Sequence, residues 1–491
     1  MNLSQIVMPE MFMPPEWDRE FSHLVIDSRD VSSGDVFIAR KGSAAHGAQH
    51  IKDAVARGAV AVIAEGEEQA FHCEWNDAGD TVPVFTTPLL ASHFSVWLSR
   101  RYQVAGMQLI GVTGTNGKSS VTQYIAQLAT LCGEACGVLG TLGNGRWPEL
   151  APTRNTTPDL SVILRNLDDL QKNQVNLVAM EVSSHGLSQK RVDGLIFDTA
   201  VLTNLTQDHL DYHGTMEGYF AAKRELFIRH QPVRALINID DEYGLRLAQD
   251  AGLKCEVLTY GKHAQAQIKY RITGLTAQGM QAQIDSPWGS ASLQLPLIGE
   301  FNLANVCAAV SVLAMKGQNF SELCAVASQL HPVAGRMELY TKAGAAMAVI
   351  DFAHTPDALT NVLQALKPWQ KKITTVFGCG GDRDRSKRPL MAAAVNALTD
   401  DAILTDDNPR SENPQQIFAD VLAGGVSFKQ QHDRTLAIQS AIASAGADGL
   451  VLIAGKGHEN YQDIMGVKHP YSDESVLLAL GYRKAGGDHD Q

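Results

Sequence analysis

The stretch "GVTGTNGKSS" (111–120) sets three glycines, a lysine and four hydroxyl side chains between an apolar segment and a helical one. A strand, a glycine-rich loop and a helix N-terminus together aim backbone N–H groups at an anion. Lys118 can reach terminal phosphates, and the Ser119 hydroxyl can ligate Mg²⁺. The spacing departs by one residue from G-x4-G-K-[ST], because position 112 is valine. The expected chemistry is nucleoside-triphosphate binding, set against a glycine-rich turn that binds nothing. No N-K-x-D loop for guanine readout follows a later strand.

Other residues could complete that chemistry. Glu181 sits near the end of the apolar stretch "VNLVAMEV", where a carboxylate is costly unless it is paired, holds a metal or caps the next helix. Asp208, His209, Asp211 and His213 cluster in "TQDHLDYHG", but without a usual zinc spacing. Lys223 lies in the following helix. Read alone, it is a solvated lysine near Glu217 or Glu225. "TDDNPRSENP" (405–414) follows another apolar stretch. A turn needs Asp407, Asn408 and Pro409 at most, so Arg410 is more than a turn requires.

These residues must be positioned by strands and helices. Near-continuous apolar strands alternate with helical stretches from "MQLIGVTG" to "DTAVLTNL", which predicts a parallel sheet covered on both faces. Val121, Ile125, Leu128 and Cys132 share one helical face, and Gly133 is a C′ stop. Four more apolar strands, "AMAVIDFA", "KITTVFGCG", "DDAILTDD" and "DGLVLIAGKG", predict a second doubly wound sheet. Ahead of both, "HLVIDSRDVSSGDVFIA" and "AHGAQHIKDAVARGAVAVIAE" predict a small α/β unit, and "TTPLLASHFSVWLSRRYQ" a linking helix. The expected fold class is therefore α/β in three units: 1–88, 89–333 and 334–491. The tail "RKAGGDHDQ" is expected to fray.

Composition bounds the partners. The chain has 491 residues, 45% hydrophobic and 19% charged, with a net charge of −12. That balance disfavours a nucleic-acid binder, which needs a basic face. Seven scattered cysteines without C-x-x-C suit reduced thiols in the cytoplasm. No signal peptide or membrane-spanning run is read.

Taken in order, "GVTGTNGKSS", "NTTPD", "AMEVSSHGLSQKRV", "TNLTQDHLDYHGTMEGYFAAKRELF", "GEFNLANVCAA", "GRME", "DFAHTPDAL", "GCGGDRDRSKRP", "DDNPR" and "AGKGHE" resemble the Mur ligases of peptidoglycan synthesis, from about residue 24 to about residue 473. The resemblance implies a small N-terminal α/β domain for the uridine end of the substrate, a central P-loop-type ATPase domain and a C-terminal Rossmann-like domain for an amino acid. It implies ATP-dependent amide formation through an acyl phosphate, joining meso-diaminopimelate to UDP-N-acetylmuramoyl-L-alanyl-D-glutamate. The protein would be a cytoplasmic monomer using ATP and Mg²⁺, with no nucleic-acid or membrane partner.

The implied roles fall on matching residues. Catalysis goes to Lys118, Glu181, His209 and Lys223, and metal binding to Ser119, Glu181, His209 and a carbamylated Lys223. ATP goes to Gly114, Thr115, Asn116, Gly117, Lys118, Ser119, Ser120, Asn302, Arg336 and Asp351. The nucleotide-linked peptide goes to Ile26, Ser28, Ser43, Ala44, Ala45, Asn155, Thr156, Thr157, Ser183, Gln189 and Arg191. Diaminopimelate goes to Arg383, Asp407, Asn408, Pro409, Arg410, Gly455 and Glu459, with the two arginines for carboxylate and Asn408 and Glu459 for ammonium. Lysine has no distal carboxylate and would leave a buried Arg410 unpaired, so diaminopimelate is expected over lysine.

The sequence departs from the family pattern in few places. Ser119-Ser120 stand where the family often has Thr-Thr, Phe352 stands where tyrosine is common, and "NTTPD" varies after its second threonine. The alternatives are a lysine-adding or D-alanyl-D-alanine-adding Mur ligase, a folylpolyglutamate synthase, or a P-loop switch that hydrolyses nucleotide without ligation. NAD binding by the last unit is disfavoured, because "GCGGDRD" does not make G-x-G-x-x-G.

Overall fold

The computed structural model describes residues 1–41, 46–276 and 279–485. Ser43, Ala44 and Ala45 lie outside the described residues. Three α/β layers follow one another along the chain, each built on its own sheet.

The first sheet runs Leu24–Val25, Val36–Ala39, Ala61–Glu65, Thr81–Thr87, Ala70–Trp75, with the last strand antiparallel. The closing hairpin was not anticipated. Ala70–Trp75 has no fully buried position, so it carries no apolar run to notice. One face of this sheet buries Val25, Phe37, Val62 and Val84. Its other face joins Trp97 and Leu98 of the helix Leu90–Arg101 to a core that continues into the next layer through Leu109, Met180 and Phe227.

The central sheet has ten strands. Gln108–Thr113 pairs in parallel with Thr199–Leu202 on one side and Leu177–Glu181 on the other. The chain runs first to one side of Gln108–Thr113 and then returns to the other, so the loop after this strand sits at a topological switch point. The parallel sheet expected from sequence is therefore present. It is also extended by an antiparallel meander, Ile268–Thr276, Gly279–Ser286 and Gly289–Leu295. Here Ile268 and Tyr270, then Met280, Ala282 and Ile284, point inward with polar residues between them. That two-residue alternation marks strands with one solvated face. The helix Lys118–Leu131 buries Val121, Ile125 and Leu128 against this layer and stops at Gly133, whose φ is +84°.

In the last sheet Lys429–Gln431, Asp401–Thr405, Ile373–Phe377, Leu450–Ala454 and Met347–Asp351 are parallel in that order. All four expected strands are present, and their C-terminal ends share one edge. Glu338–Thr341 and Arg483–Lys484 add antiparallel strands. The fraying expected of the tail thus fails at its start, because Arg483 and Lys484 pair with Thr341 and Tyr340.

Candidate active site

The phosphate loop is shaped by its glycines and its neighbours. Gly114 has φ +148°, and a Cβ there would lie 1.9 Å from Thr203 Oγ1. Gly117 is the N-cap of the following helix at φ +88°, and a Cβ there would meet Asn305 Oδ1 at 2.6 Å. Asn204 ties the loop down: its carbonyl accepts from Thr115 N–H (2.9 Å) and its Oδ1 from Asn116 N–H (3.0 Å). No side chain caps the helix Lys118–Leu131. Its first-turn N–H groups therefore remain available to an anion. The cradle, the uncapped helix and Lys118 together fit a polyphosphate. Ser120 is buried in the first turn.

Two lysines converge on this loop. Lys118 Nζ donates to the carbonyls of Gly114 and Thr115, both at 2.9 Å, and Lys223 Nζ donates to the same Gly114 carbonyl at 2.8 Å. Lys223 is buried beneath the Tyr219 ring, 4.5 Å away. The solvated-lysine reading is thereby overturned, since Glu217 pairs with Arg246 and Glu225 with Arg229. Burial, and then the charge of Lys118, hold the Lys223 ammonium well below the ordinary lysine range. Burial also lowers Lys118.

Glu181 is buried at the end of its strand. Oε1 accepts from Thr141 N–H (2.8 Å) and Oε2 from Ser119 Oγ (3.1 Å). Burial raises its carboxyl pKa, against the pull of Lys118. The helix-capping alternative goes instead to Ser183, whose Oγ accepts from Gly186 N–H. His209 stands at φ +55° with Nε2 3.4 Å from Asp208 Oδ2, and burial pushes its imidazole down to about 3. It is therefore neutral near pH 7, the form that binds metals. Of the rest of the acidic and histidine cluster, Asp211 is exposed and His213 Nε2 bonds Ser184 Oγ at 2.9 Å, while the His185 ring lies 4.8 Å from that of His209 and 5.6 Å from that of His213. Among the described residues, no group of three or more His, Cys, Asp or Glu side chains is placed to hold a metal alone. Mg²⁺ generally takes one or two protein oxygens together with phosphates and water. The buried Ser119–Glu181 pair beside the phosphate loop fits that pattern.

The remaining expected nucleotide residues have defined places. Asn302 is buried, accepting from Tyr124 OH (3.1 Å) and donating to the Ile298 carbonyl (2.8 Å). The Arg336 guanidinium lies 4.6 Å over the Phe352 ring, which acts as a stacking face. Each Asp351 oxygen accepts one N–H, from Met337 and from Ala353, which makes it a brace for the Arg336 turn. Burial pushes its carboxyl up to about 6, against the charge of Arg336.

Toward the first sheet, Ser28 is buried and Ile26 packs on the shared core. Asn155 is exposed, while the neighbouring Arg154 bridges the layers by pairing with Asp27 and Asp30. Thr156 Oγ1 bonds Thr141 Oγ1 at 3.0 Å, and Thr157 Oγ1 accepts from Ser183 N–H at 2.9 Å. Arg191 donates to the Thr157 carbonyl (2.8 Å) and to Gln189 Oε1 (2.5 Å). These residues line one edge from the first layer to Glu181. A cavity of about 480 Å³ also opens beside Gln123, Gln127, Trp147 and His458, and none of the expected site residues lines it.

The "DDNPR" loop does more than turn. Arg410 takes φ +49° and donates from Nη1 to the Gly381 carbonyl at 2.7 Å. Pro409 packs its carbonyl against Gly381, where a Cβ would come within 1.9 Å. Arg383 is exposed on the adjoining loop, donating to the Asp382 carbonyl. Asp407 is buried. Burial alone would raise its carboxyl, but Lys456, Arg434 and Arg410 outweigh that and hold it below the usual value. Gly455, at φ +116°, leaves room for Asp407 Oδ2, which a Cβ would meet at 2.7 Å. One assignment changes. Asn408 was expected to receive an ammonium, but its Oδ1 already accepts from Lys456 Nζ (3.1 Å) and Asp463 N–H (2.9 Å), so only its N–H₂ remains to offer.

Two residues that sequence reasoning passed over hold the arrangement together. Lys456, inside the quoted "AGKGHE", is fully buried between Asn408 and Glu459. Lys387 reaches across from the last layer to Asp208 beside the phosphate loop at 2.9 Å, both side chains buried. Asn116 Nδ2 to Asp357 Oδ2 (3.1 Å) and Gln207 Nε2 to Ser386 Oγ (3.0 Å) cross the same gap. The sequence signal for Lys456 was its place at a strand exit, and Lys387 opens the helix Lys387–Leu398 ten residues beyond one.

Comparison with known proteins agrees with this architecture. Residues 20–91 match the Mur ligase family catalytic domain, 112–313 the Mur ligase middle domain and 335–457 the Mur ligase glutamate ligase domain. A UDP-N-acetylmuramoyl-L-alanyl-D-glutamate–2,6-diaminopimelate ligase of Vibrio vulnificus is 42% identical, covering 98% of this chain and 99% of that protein. The ligase of that name from Pseudomonas syringae pv. tomato is 44% identical, covering 98% of both chains. A solved structure of a ligase so named superposes with a TM-score of 0.64 at 36% identity, covering 98% of this chain and 100% of that one. The chain belongs to the Mur ligase family.

Proposed function

We propose that this protein is an ATP-dependent amide ligase that adds meso-diaminopimelate to the D-glutamyl carboxylate of UDP-N-acetylmuramoyl-L-alanyl-D-glutamate, in the cytoplasm. The observation that carries it is the junction of two strand-end clusters. The phosphate loop with Lys118, Lys223 and Glu181 is tied through Asp208–Lys387 to the layer that presents Arg410, Asn408 and Glu459. The names of the relatives at 42% and 44% identity support the same substrates.

A carboxylate is a poor electrophile because its leaving group would be oxide. In this reading a glutamyl carboxylate oxygen attacks the γ-phosphorus of ATP, and ADP leaves. An amine of diaminopimelate then attacks the acyl carbon, phosphate leaves with that oxygen, and the nitrogen loses a proton. Lys118, folded onto the loop carbonyls, is placed to swing to the phosphates, where its charge offsets the charge that develops. Mg²⁺, held by Ser119, Glu181, His209 and carbamylated Lys223, would supply further charge stabilisation. The depressed basicity of Lys223 keeps a neutral amine available for CO₂. Gly114, Thr115, Asn116, Gly117 and Ser120 shape the phosphate cradle, and Asn302, Arg336 and the brace Asp351 flank it. Ile26, Ser28, Asn155, Thr156, Thr157, Ser183, Gln189 and Arg191 form the path for the nucleotide-linked peptide. Arg383 and Arg410 suit the distal carboxylate of diaminopimelate and Glu459 its ammonium. A lysine substrate would leave Arg410 without that carboxylate.

The test labels the glutamyl γ-carboxylate with ¹⁸O and supplies ATP, Mg²⁺ and meso-diaminopimelate. The expected result is a tripeptide product with label in the released phosphate. Phosphate release without diaminopimelate, or without label, would contradict this function and favour a nucleotide switch.

A further inference from the structure

Lys456 follows the strand Leu450–Ala454 and Gly455, with no exposed surface. A buried ammonium is expensive unless it is paired and hydrogen-bonded. Its partners are Asn408 Oδ1 at 3.1 Å and Glu459 Oε2 at 2.9 Å, and the Tyr461 ring lies 5.6 Å away. The backbone N–H of Asp463 also donates to Asn408 Oδ1 at 2.9 Å. Two donors fill the two lone pairs of that oxygen and fix which way the carboxamide faces. Asn408 Nδ2 then donates one hydrogen to Glu459 Oε2 at 2.8 Å. Glu459 Oε2 thus receives two donors, both from the chain itself. What remains is one Nδ2 hydrogen and Glu459 Oε1, which has no hydrogen-bond partner among the described residues.

We propose that Lys456 is a positioning and specificity-determining residue: it fixes Asn408 as a donor and Glu459 as an acceptor, so that the pair reads the carboxylate and the ammonium at the far end of the diamino acid together. The proposal rests on the diaminopimelate reading above. It assigns Asn408 to the carboxylate alongside Arg410, and leaves the ammonium to Glu459. Without Lys456, Asn408 Oδ1 keeps only the Asp463 N–H to hold its orientation, and Glu459 loses its neutralising charge. A substrate end with only an ammonium is then disfavoured less strongly against one with both groups.

The test uses the full chain with Lys456→Met, Glu459→Gln and the double variant. The readouts are KM for diaminopimelate and for ATP, and the kcat/KM ratio of diaminopimelate to L-lysine. Lys456→Met is expected to raise KM for diaminopimelate by about 10- to 100-fold, the range of one lost charged hydrogen bond. KM for ATP should stay constant and the preference over lysine should narrow. The two substitutions should combine to less than their sum, because both act on one carboxylate. Lys456→Gln, which keeps a donor, should recover part of the loss and serves in the cycle if the methionine variant does not fold. Overturning results are a KM for diaminopimelate within about twofold of wild type, or additive effects with an unchanged substrate ratio. A wild-type chain that does not use diaminopimelate would sink the ligase reading, and this inference with it. A wild type that does, beside a Lys456→Met or Lys456→Gln variant with unaltered KM, would sink this inference alone.

Discussion

At the scale of single residues, the site is defined by cations held where water is scarce. Lys118 and Lys223 share the Gly114 carbonyl, and the lowered basicity of Lys223 follows from its burial and from that neighbour. Arginine at position 223 keeps a charge but presents no amine that reacts with CO₂. Lys223→Arg is therefore expected to lower turnover by about 100-fold or more, in the range seen for loss of one transition-state stabiliser. In ¹³C-bicarbonate, a carbamate carbon resonance should be present in the wild type and missing in the variant; the same spectrum from both would remove the carbamate. The phosphate loop and Glu181 were legible in the sequence because a strand, a glycine loop and a buried carboxylate are local patterns. Lys223 read as a surface residue, since nothing in its own helix reveals that the loop after Gln108–Thr113 closes over it. Lys456 was passed over because its partner Asn408 meets it only after two strand ends come together.

At the scale of elements, strand exits and the turns behind them do the positioning. Gly114 is the clearest case, with φ +148° and Thr203 Oγ1 and the Asn204 backbone where a Cβ would stand. Gly114→Ala would force the loop away from Asn204, at a backbone cost of about 1–3 kcal/mol. KM for ATP should rise by about tenfold, with far-ultraviolet circular dichroism unchanged; an unchanged KM would show that this loop does not hold the phosphates. The apolar strands of the central and last sheets were readable as runs, and their helices by their periodicity. The hairpin Ala70–Trp75 and Thr81–Thr87 and the meander from Ile268 to Leu295 were not, because a sheet face open to water shows only alternation, in segments that also carry many polar residues. Arg483–Lys484 was likewise invisible, being held by register with Tyr340 and Thr341 rather than by any pattern of its own.

At the scale of the whole molecule, the last layer is closed onto the central one by cross-layer polar contacts. Lys387–Asp208 is the buried ion pair at that closure, with Asn116–Asp357 and Gln207–Ser386 beside it. Lys387→Met leaves Asp208 buried without its main cation, a cost of about 3–5 kcal/mol that opening the layers would relieve. Small-angle scattering should give a larger radius of gyration for the variant, and an unchanged value would place the closing force elsewhere. Burial alone would raise the Asp208 carboxyl, but Lys387, His209 and His354 outweigh it and hold the group well below the usual carboxylate range. Its folded-state pKa is thus depressed, so the pair contributes fully above the unfolded value of about 4 and is lost only as pH falls below that. The variant and wild-type radii should therefore differ at neutral pH and converge in acid. The closed arrangement sets the Arg410 crevice against the phosphate loop, and the identity of the amine that enters there is the central claim. The most direct measurement supplies ATP, Mg²⁺ and UDP-N-acetylmuramoyl-L-alanyl-D-glutamate with meso-diaminopimelate or L-lysine in parallel, following phosphate release and product mass. Tripeptide formation with diaminopimelate and not with lysine is the predicted result; turnover with lysine alone would contradict the reading of Arg410.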